Sequence, residues 1–171
     1  MPHTIATFSI VAYDPGREEW GVAVQSKFLA CAAVVSWARA GAGAVATQSF
    51  ANVAYGLDGL EMMAADMSAE ETIAALTAAD EQRAQRQVGM VDKRGRAAAY
   101  TGAECYDWAG HAIGDGFACQ GNILVAGTVA AMATAFEEAR HGPGELADWL
   151  VSALAAGQAA GGDKRGRQAA G

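Results

Sequence analysis

Strand-forming stretches come in pairs along this chain, and helix-forming stretches come in pairs between them. Thr7 to Tyr13 and Trp20 to Lys27 are rich in aromatic and β-branched residues and flank the turn signal Asp14-Pro15-Gly16. So short a connection predicts an antiparallel hairpin. Val34 to Trp37 and Ala42 to Gln48 read as further strands, separated by Arg39-Ala40-Gly41. Gly59 to Asp66 then reads as a helix. A second helix opens at Ser68, with Glu71 completing a capping box and Ile73 and Leu76 supplying an apolar stripe, and ends near Asp80. Strands return at Arg86 to Val91 and Arg96 to Thr101, around the turn Asp92-Lys93-Arg94-Gly95. Trp108 to Asn122 reads as Gly-rich and irregular, followed by the apolar run Ile123 to Ala126. Helices are expected over Thr128 to Arg140 and from Gly144 to about Ala156, before a Gly-rich basic tail from Gly157 to Gly171.

This order of elements predicts an architecture. Helix pairs between antiparallel hairpins do not suit a parallel βαβ sheet, which needs one crossover helix per strand. They suit an α+β fold: a four-layer α/β/β/α sandwich of two antiparallel sheets flanked by helix pairs. The 171 residues fit one domain, and no linker, repeat or low-complexity stretch divides them.

Charge and cysteine usage exclude several functions. A net charge of −7 with no basic stripe of interleaved aromatics argues against nucleic acid as a partner. No apolar run reaches membrane-spanning length. The start, Met1-Pro2-His3-Thr4-Ile5-Ala6, lacks the basic flank and apolar segment of a secretory signal. Cys31, Cys105 and Cys119 are an odd number at unrelated spacings, which points to reduced thiols and a cytoplasmic location. Cys105, His111 and Cys119, with Asp107 and Asp115 between them, match no standard zinc spacing, so neither a metal nor another cofactor is expected.

The candidate chemistry lies in polar residues at apolar or Gly-rich places. In the first strand, Thr7, Ser9, Val11 and Tyr13 face one way and Phe8, Ile10 and Ala12 the other. A hydroxyl heading a buried strand makes Thr7 a candidate nucleophile; the plainer reading is a good strand former at a sheet edge. Gln25, Ser26 and Lys27 end the partner strand, so the hairpin would bring Gln25 and Lys27 near Thr7, where a desolvated lysine can assist a hydroxyl. His111 is the acid/base candidate. Gln48 and Asn52, in Thr47-Gln48-Ser49-Phe50-Ala51-Asn52, and Gln120 and Asn122, in Gln120-Gly121-Asn122, are candidate pocket or amide contacts. Asp163 and Arg165 fall in the polar tail, where Arg165 and Arg167 could hold a carboxylate.

Several stretches together are recognisable. Thr7-Phe8-Ser9-Ile10-Val11-Ala12, the run from Gly21 to Phe28, Gly43-Ala44-Val45-Ala46-Thr47-Gln48, Arg86-Gln87-Val88-Gly89, Ala109-Gly110-His111, Gln120-Gly121-Asn122 and the run from Gly161 to Gln168 resemble the DUF1028 family in order and over nearly the whole chain. That family is grouped with the N-terminal nucleophile (Ntn) hydrolase-like proteins. The resemblance implies the same four-layer sandwich and, by analogy, an amidohydrolase acting on a small-molecule amide. Thr7 would become the first residue on removal of residues 1–6, and its freed amine would serve as base. Where proteasome-type members place an Asp near the end of the second strand, this chain has Gln25-Ser26-Lys27. The resemblance also implies further strands beyond Gly171, and hence a sheet edge that another copy would cover in a dimer or larger homo-oligomer. The alternative from a different class is a non-catalytic binding or assembly module on the same fold.

Overall fold

The structure, a computed structural model, describes residues 7–166. Eight strands form two antiparallel sheets. The first contains β1 (Thr7–Asp14), β2 (Glu19–Ser26), β7 (Gly110–Gly114) and β8 (Phe117–Asn122), in the order β2-β1-β8-β7. The second contains β3 (Ser36–Arg39), β4 (Gly43–Ser49), β5 (Arg86–Asp92) and β6 (Ala97–Thr101), in the order β3-β4-β5-β6. A short helix α1 (Ala32–Val35) leads into β3, and α2 (Ala54–Ala64) and α3 (Ala69–Ala79) lie between β4 and β5. The helices α4 (Thr128–Ala139) and α5 (Leu146–Ala159) follow β8.

Period-two alternation assigns the layers. Phe8, Ile10 and Ala12 of β1 pack with Phe117, Met132 and Phe136 against α4 and α5. Val45, Val88 and Met90 pack with Tyr55, Met63 and Ile73 against α2 and α3. Val11, Ala44, Ala46, Val91 and Ala118 meet in the middle, where the two sheets face one another. The expected α/β/β/α sandwich is therefore the fold. Ser68 caps α3 as predicted: its Oγ accepts from Glu71 N at 3.2 Å and its own N–H donates to Glu71 Oε2 at 2.8 Å. Among the described residues no helix is long and apolar enough to cross a membrane.

Four elements differ from the sequence reading. Val34 and Val35 are in α1 rather than a strand, which begins only at Ser36. The helix expected from Gly59 begins at Ala54, where Asn52 Oδ1 accepts from Ala54 N at 3.1 Å. Gly56 of this helix leaves room for the ring of Trp37, which an added Cβ would overlap. The stretch read as irregular holds the β7–β8 hairpin. Its register, Gly114↔Phe117, leaves Asp115-Gly116 as a two-residue turn, with Gly116 at φ 76°. The chain from Gly157 on also continues α5 before Leu124 and Asp163 form an isolated bridge.

Gly89 of β5 faces Gln120 of β8 across the sheet–sheet interface, and a Cβ there would overlap the Gln120 amide. Gly89→Ala should therefore cost about 1–3 kcal/mol, as overpacking does. In urea denaturation, the double variant with Gln120→Ala should lose less than the sum of the two single losses.

Candidate active site

Thr7 heads β1 between two neighbours, Ser26 of β2 and Asn122 of β8. Its side chain faces the second sheet and is buried, and Oγ1 lies 3.1 Å from Ser26 Oγ. A cavity of about 270 Å³ opens beside it, lined by Thr7, Phe28, Cys31, Val34, Val35, Gln48, Ser49, Phe50, Ala51 and Arg86. Ser49, among the residues lining the cavity, adopts the left-handed backbone region at φ 64°, which is uncommon for non-glycine residues.

Behind Thr7 the two sheets are joined by a layer of side-chain amides. Gln120 Nε2 donates to Ser9 Oγ at 2.7 Å, and the Ser9 hydroxyl donates to Gln48 Oε1 at 2.5 Å. Gln48 Nε2 donates to Gln87 Oε1 at 2.9 Å and lies 3.4 Å from Thr7 O. Gln87 Oε1 also accepts from Asn122 Nδ2 at 3.0 Å. Gln87 Nε2 in turn reaches Gly121 O at 2.8 Å and Thr101 Oγ1 at 3.0 Å. Thr101 Oγ1 stands 2.9 Å from His111 Nδ1. Thr101 can donate to Nδ1 or accept from it, according to the tautomer, so the neutral imidazole satisfies the contact either way. Partial desolvation lowers the His111 pKa even though the residue stays exposed to solvent, favouring that neutral form.

A second cluster anchors the cavity wall. Arg86 Nε donates to Asp80 Oδ2 at 2.8 Å, its NH1 to Phe50 O at 2.7 Å and its NH2 to Gln82 Oε1 at 2.8 Å. Tyr55 OH and Asn52 Nδ2 also donate to Asp80 Oδ2, at 3.0 and 3.4 Å. The guanidinium, followed by these other donors, holds the Asp80 carboxyl well below the usual carboxylate range, and desolvation beside that carboxylate raises the Tyr55 phenol.

The structure brings some of the predicted residues together and separates others. Thr7, Gln48, Gln120 and Asn122 share the interface between the sheets. Gln25 pairs with Phe8 on the helix-facing side of its sheet and donates to Gln158 of α5 at 2.6 Å. Lys27 Nζ donates to Arg165 O at 3.2 Å, and His111 meets the amide layer only through Thr101. Neither is hydrogen-bonded to Thr7. Asn52 belongs to the Asp80 cluster. Arg165 is held by Asp163 within its own turn, Nε to Oδ1 at 3.1 Å and NH2 to Oδ2 at 2.9 Å. Arg167 and residues 1–6 lie outside the described residues. Cys119 faces the helices while Gln120, opposite His111, faces the other sheet, so these residues do not converge on a metal.

Ser26, Arg86 and Gln87 were not singled out from the sequence. The hairpin register alone identifies Ser26 as the partner of Thr7, and a glutamine inside the apolar strand Arg86–Asp92 was the available signal for Gln87. A larger depression of about 580 Å³ runs between β2, β3 and α5, but it is more open and contains none of the candidate residues.

Asp80 provides a pH test. Its folded-state pKa is depressed, so its stabilisation is complete above the unfolded value of about 3.9 and is lost as pH falls through the folded value. Asp80→Asn should cost about 2 kcal/mol at neutral pH, the scale of a hydrogen bond to a charged group. The gap from wild type should close as the pH of thermal unfolding is lowered below the ordinary carboxylate range.

Comparison with known proteins agrees with this architecture. The crystal structure of protein SPO2555 from Silicibacter pomeroyi, itself of the DUF1028 family, superimposes with a TM-score of 0.86 at 30% sequence identity. The alignment covers 91% of this chain and 69% of that one. No curated protein matches. Residues 7–171 match the family of unknown function DUF1028, and the chain belongs to that family.

Proposed function

We propose that this protein is an Ntn-type amidohydrolase of small amides, with Thr7 as its nucleophile once residues 1–6 are removed. The observation that carries this reading is the placement of the Thr7 hydroxyl. It heads a central strand, is buried at the sheet–sheet interface, is hydrogen-bonded to Ser26 and opens onto a cavity. Thr7 Oγ1 would attack the amide carbon while its proton passes to the freed α-amine of the same residue. Collapse of the tetrahedral intermediate breaks the C–N bond, and the proton leaves with the amine product. Water then attacks the Thr7 ester, releasing the carboxylic acid and restoring the hydroxyl. Asn122, opposite Thr7, has its Oδ1 buried without a partner, an acceptor suited to an N–H of that amine. Lys27 and His111 are outside the reacting group in this scheme, because their hydrogen bonds go elsewhere. The three free thiols suit a reducing compartment such as the cytoplasm.

The same proposal includes a homo-oligomer. β2 and β3 end the two sheets on one flank and β6 and β7 on the other, which leaves edge strands for a second copy to cover. Sedimentation velocity should give a dimer or larger species, and a monomer across the concentration range would remove this part of the proposal.

Intact mass should show a chain beginning at Thr7. On any small amide that turns over, Thr7→Ala should lose at least about 10³-fold in kcat, as removal of a nucleophile does. Thr7→Ser should keep part of the activity. Equal turnover by Thr7→Ala and wild type would sink the proposal.

A further inference from the structure

The cavity beside Thr7 carries information about what it accepts. Most of its lining is apolar, from Phe28, Cys31, Val34, Val35, Phe50 and Ala51, and Thr7, Gln48, Ser49 and Arg86 supply the polar groups. At about 270 Å³ it is below the usual range for drug-sized ligands, and a cavity of about 150 Å³ is enough for benzene. One ring and a short linker to a carbonyl therefore fill it, and the rest of any larger ligand would lie outside the mouth.

Arg86 is the one charged residue among those lining it, and it is already ion-paired, with three of its five N–H groups engaged. It gives Nε to Asp80, NH1 to Phe50 O and NH2 to Gln82 Oε1. A carboxylate entering the cavity would have to compete with Asp80 for a cation in an existing ion pair, and would be desolvated against apolar walls. The mouth has the same character. Phe28 and Phe50 line the cavity yet are partly exposed, Leu29 beside Phe28 is 74% exposed, and the rings of Phe50 and Tyr106 stand 6.0 Å apart. Exposed aromatic and aliphatic side chains grouped at a cavity mouth mark a place where apolar surface is to be covered.

We propose that this cavity binds an uncharged aryl-acyl group, with the ring among Phe28, Val34, Val35 and Phe50 and the amide carbonyl toward Thr7. As a statement of substrate class this rests on the amidohydrolase reading, whereas the binding itself does not need turnover.

The test is calorimetric titration of the full-length Thr7→Ala variant, which cannot turn the ligand over, with phenylacetamide, phenylacetate and acetamide. Phenylacetamide should bind with a Kd of about 1 mM or tighter, within the efficiency expected of so small a ligand. Phenylacetate and acetamide should each bind at least about tenfold more weakly, the first for its charge and the second for its missing ring. Ala51→Phe, which fills the cavity, should abolish the phenylacetamide signal. Phe50→Ala, at a partly exposed position, should weaken it about three- to tenfold with Tm nearly unchanged, the scale of one aromatic contact. No binding of phenylacetamide, or equal binding of phenylacetate, overturns the inference. Phenylacetamide that binds yet is never hydrolysed by wild type leaves the cavity assignment standing and counts against the nucleophile. Hydrolysis of short or charged amides without phenylacetamide binding does the reverse.

Discussion

The rest of the structure depends on the side-chain hydrogen bonds that cross between the two sheets. Packing of Val11, Ala44, Ala46, Val91 and Ala118 favours contact between the sheets but is tolerant of sliding, because small apolar side chains interlock weakly. The path from Gln120 through Ser9, Gln48 and Gln87 to Thr101 is not tolerant. Each of these bonds needs a particular donor opposite a particular acceptor within a few tenths of an ångström, and a buried amide left unpaired costs about 1–3 kcal/mol. Stacking register is thereby set in hydrogen bonds rather than in volume alone. Gly89 belongs to the same device, since the Gln120 amide reaches its position only where β5 lacks a side chain.

This clamp also explains how a hydroxyl can be held buried at the end of a strand. Thr7 has fixed groups on either side, Ser26 and Asn122, and its carbonyl faces Gln48, whose other bonds hold it in place. Arg86 is held by three acceptors from two segments, Phe50 after β4 and the Asp80 and Gln82 loop after α3, so the cavity lining draws on the amide layer at Gln48 and on an ion-pair cluster at Arg86. Gln48 and Arg86 belong to β4 and β5, which connects the shape of the cavity to the sheet that does not carry Thr7.

The fold was legible because hydrophobic period and element order are local signals. The hairpin around Asp14-Pro15-Gly16, the capping box at Ser68 and Glu71, and the paired helices could all be read from short windows. What was missed has a physical reason. Gly56 and the glycines of β7 and β8 resemble turn residues in sequence, yet most of them serve close packing, and only the tertiary fold tells the two uses apart. The site was less legible. Thr7, Gln48, Gln120 and Asn122 share one face of one interface, as alternation allows. Which amide bonds which depends on how the sheets stack, and no window contains that. The hydrogen bond of Lys27 was hidden for a related reason: the register places Ser26 opposite Thr7, and Lys27, one residue beyond the strand, donates to Arg165.

The chemical nature of the clamp has one more consequence. Every group that joins the sheets between Ser9 and Thr101 is an amide or an alcohol, and none of them changes charge over the range in which proteins operate. The titratable group hydrogen-bonded to this path is His111, beyond Thr101, and Asp80 belongs to the separate cluster around Arg86. An amine at Thr7 could gain or lose its proton without disturbing any bond that holds the two sheets in register. The interior is electrically quiet, so a cycle of protonation can run at its edge while the scaffold stays as it is.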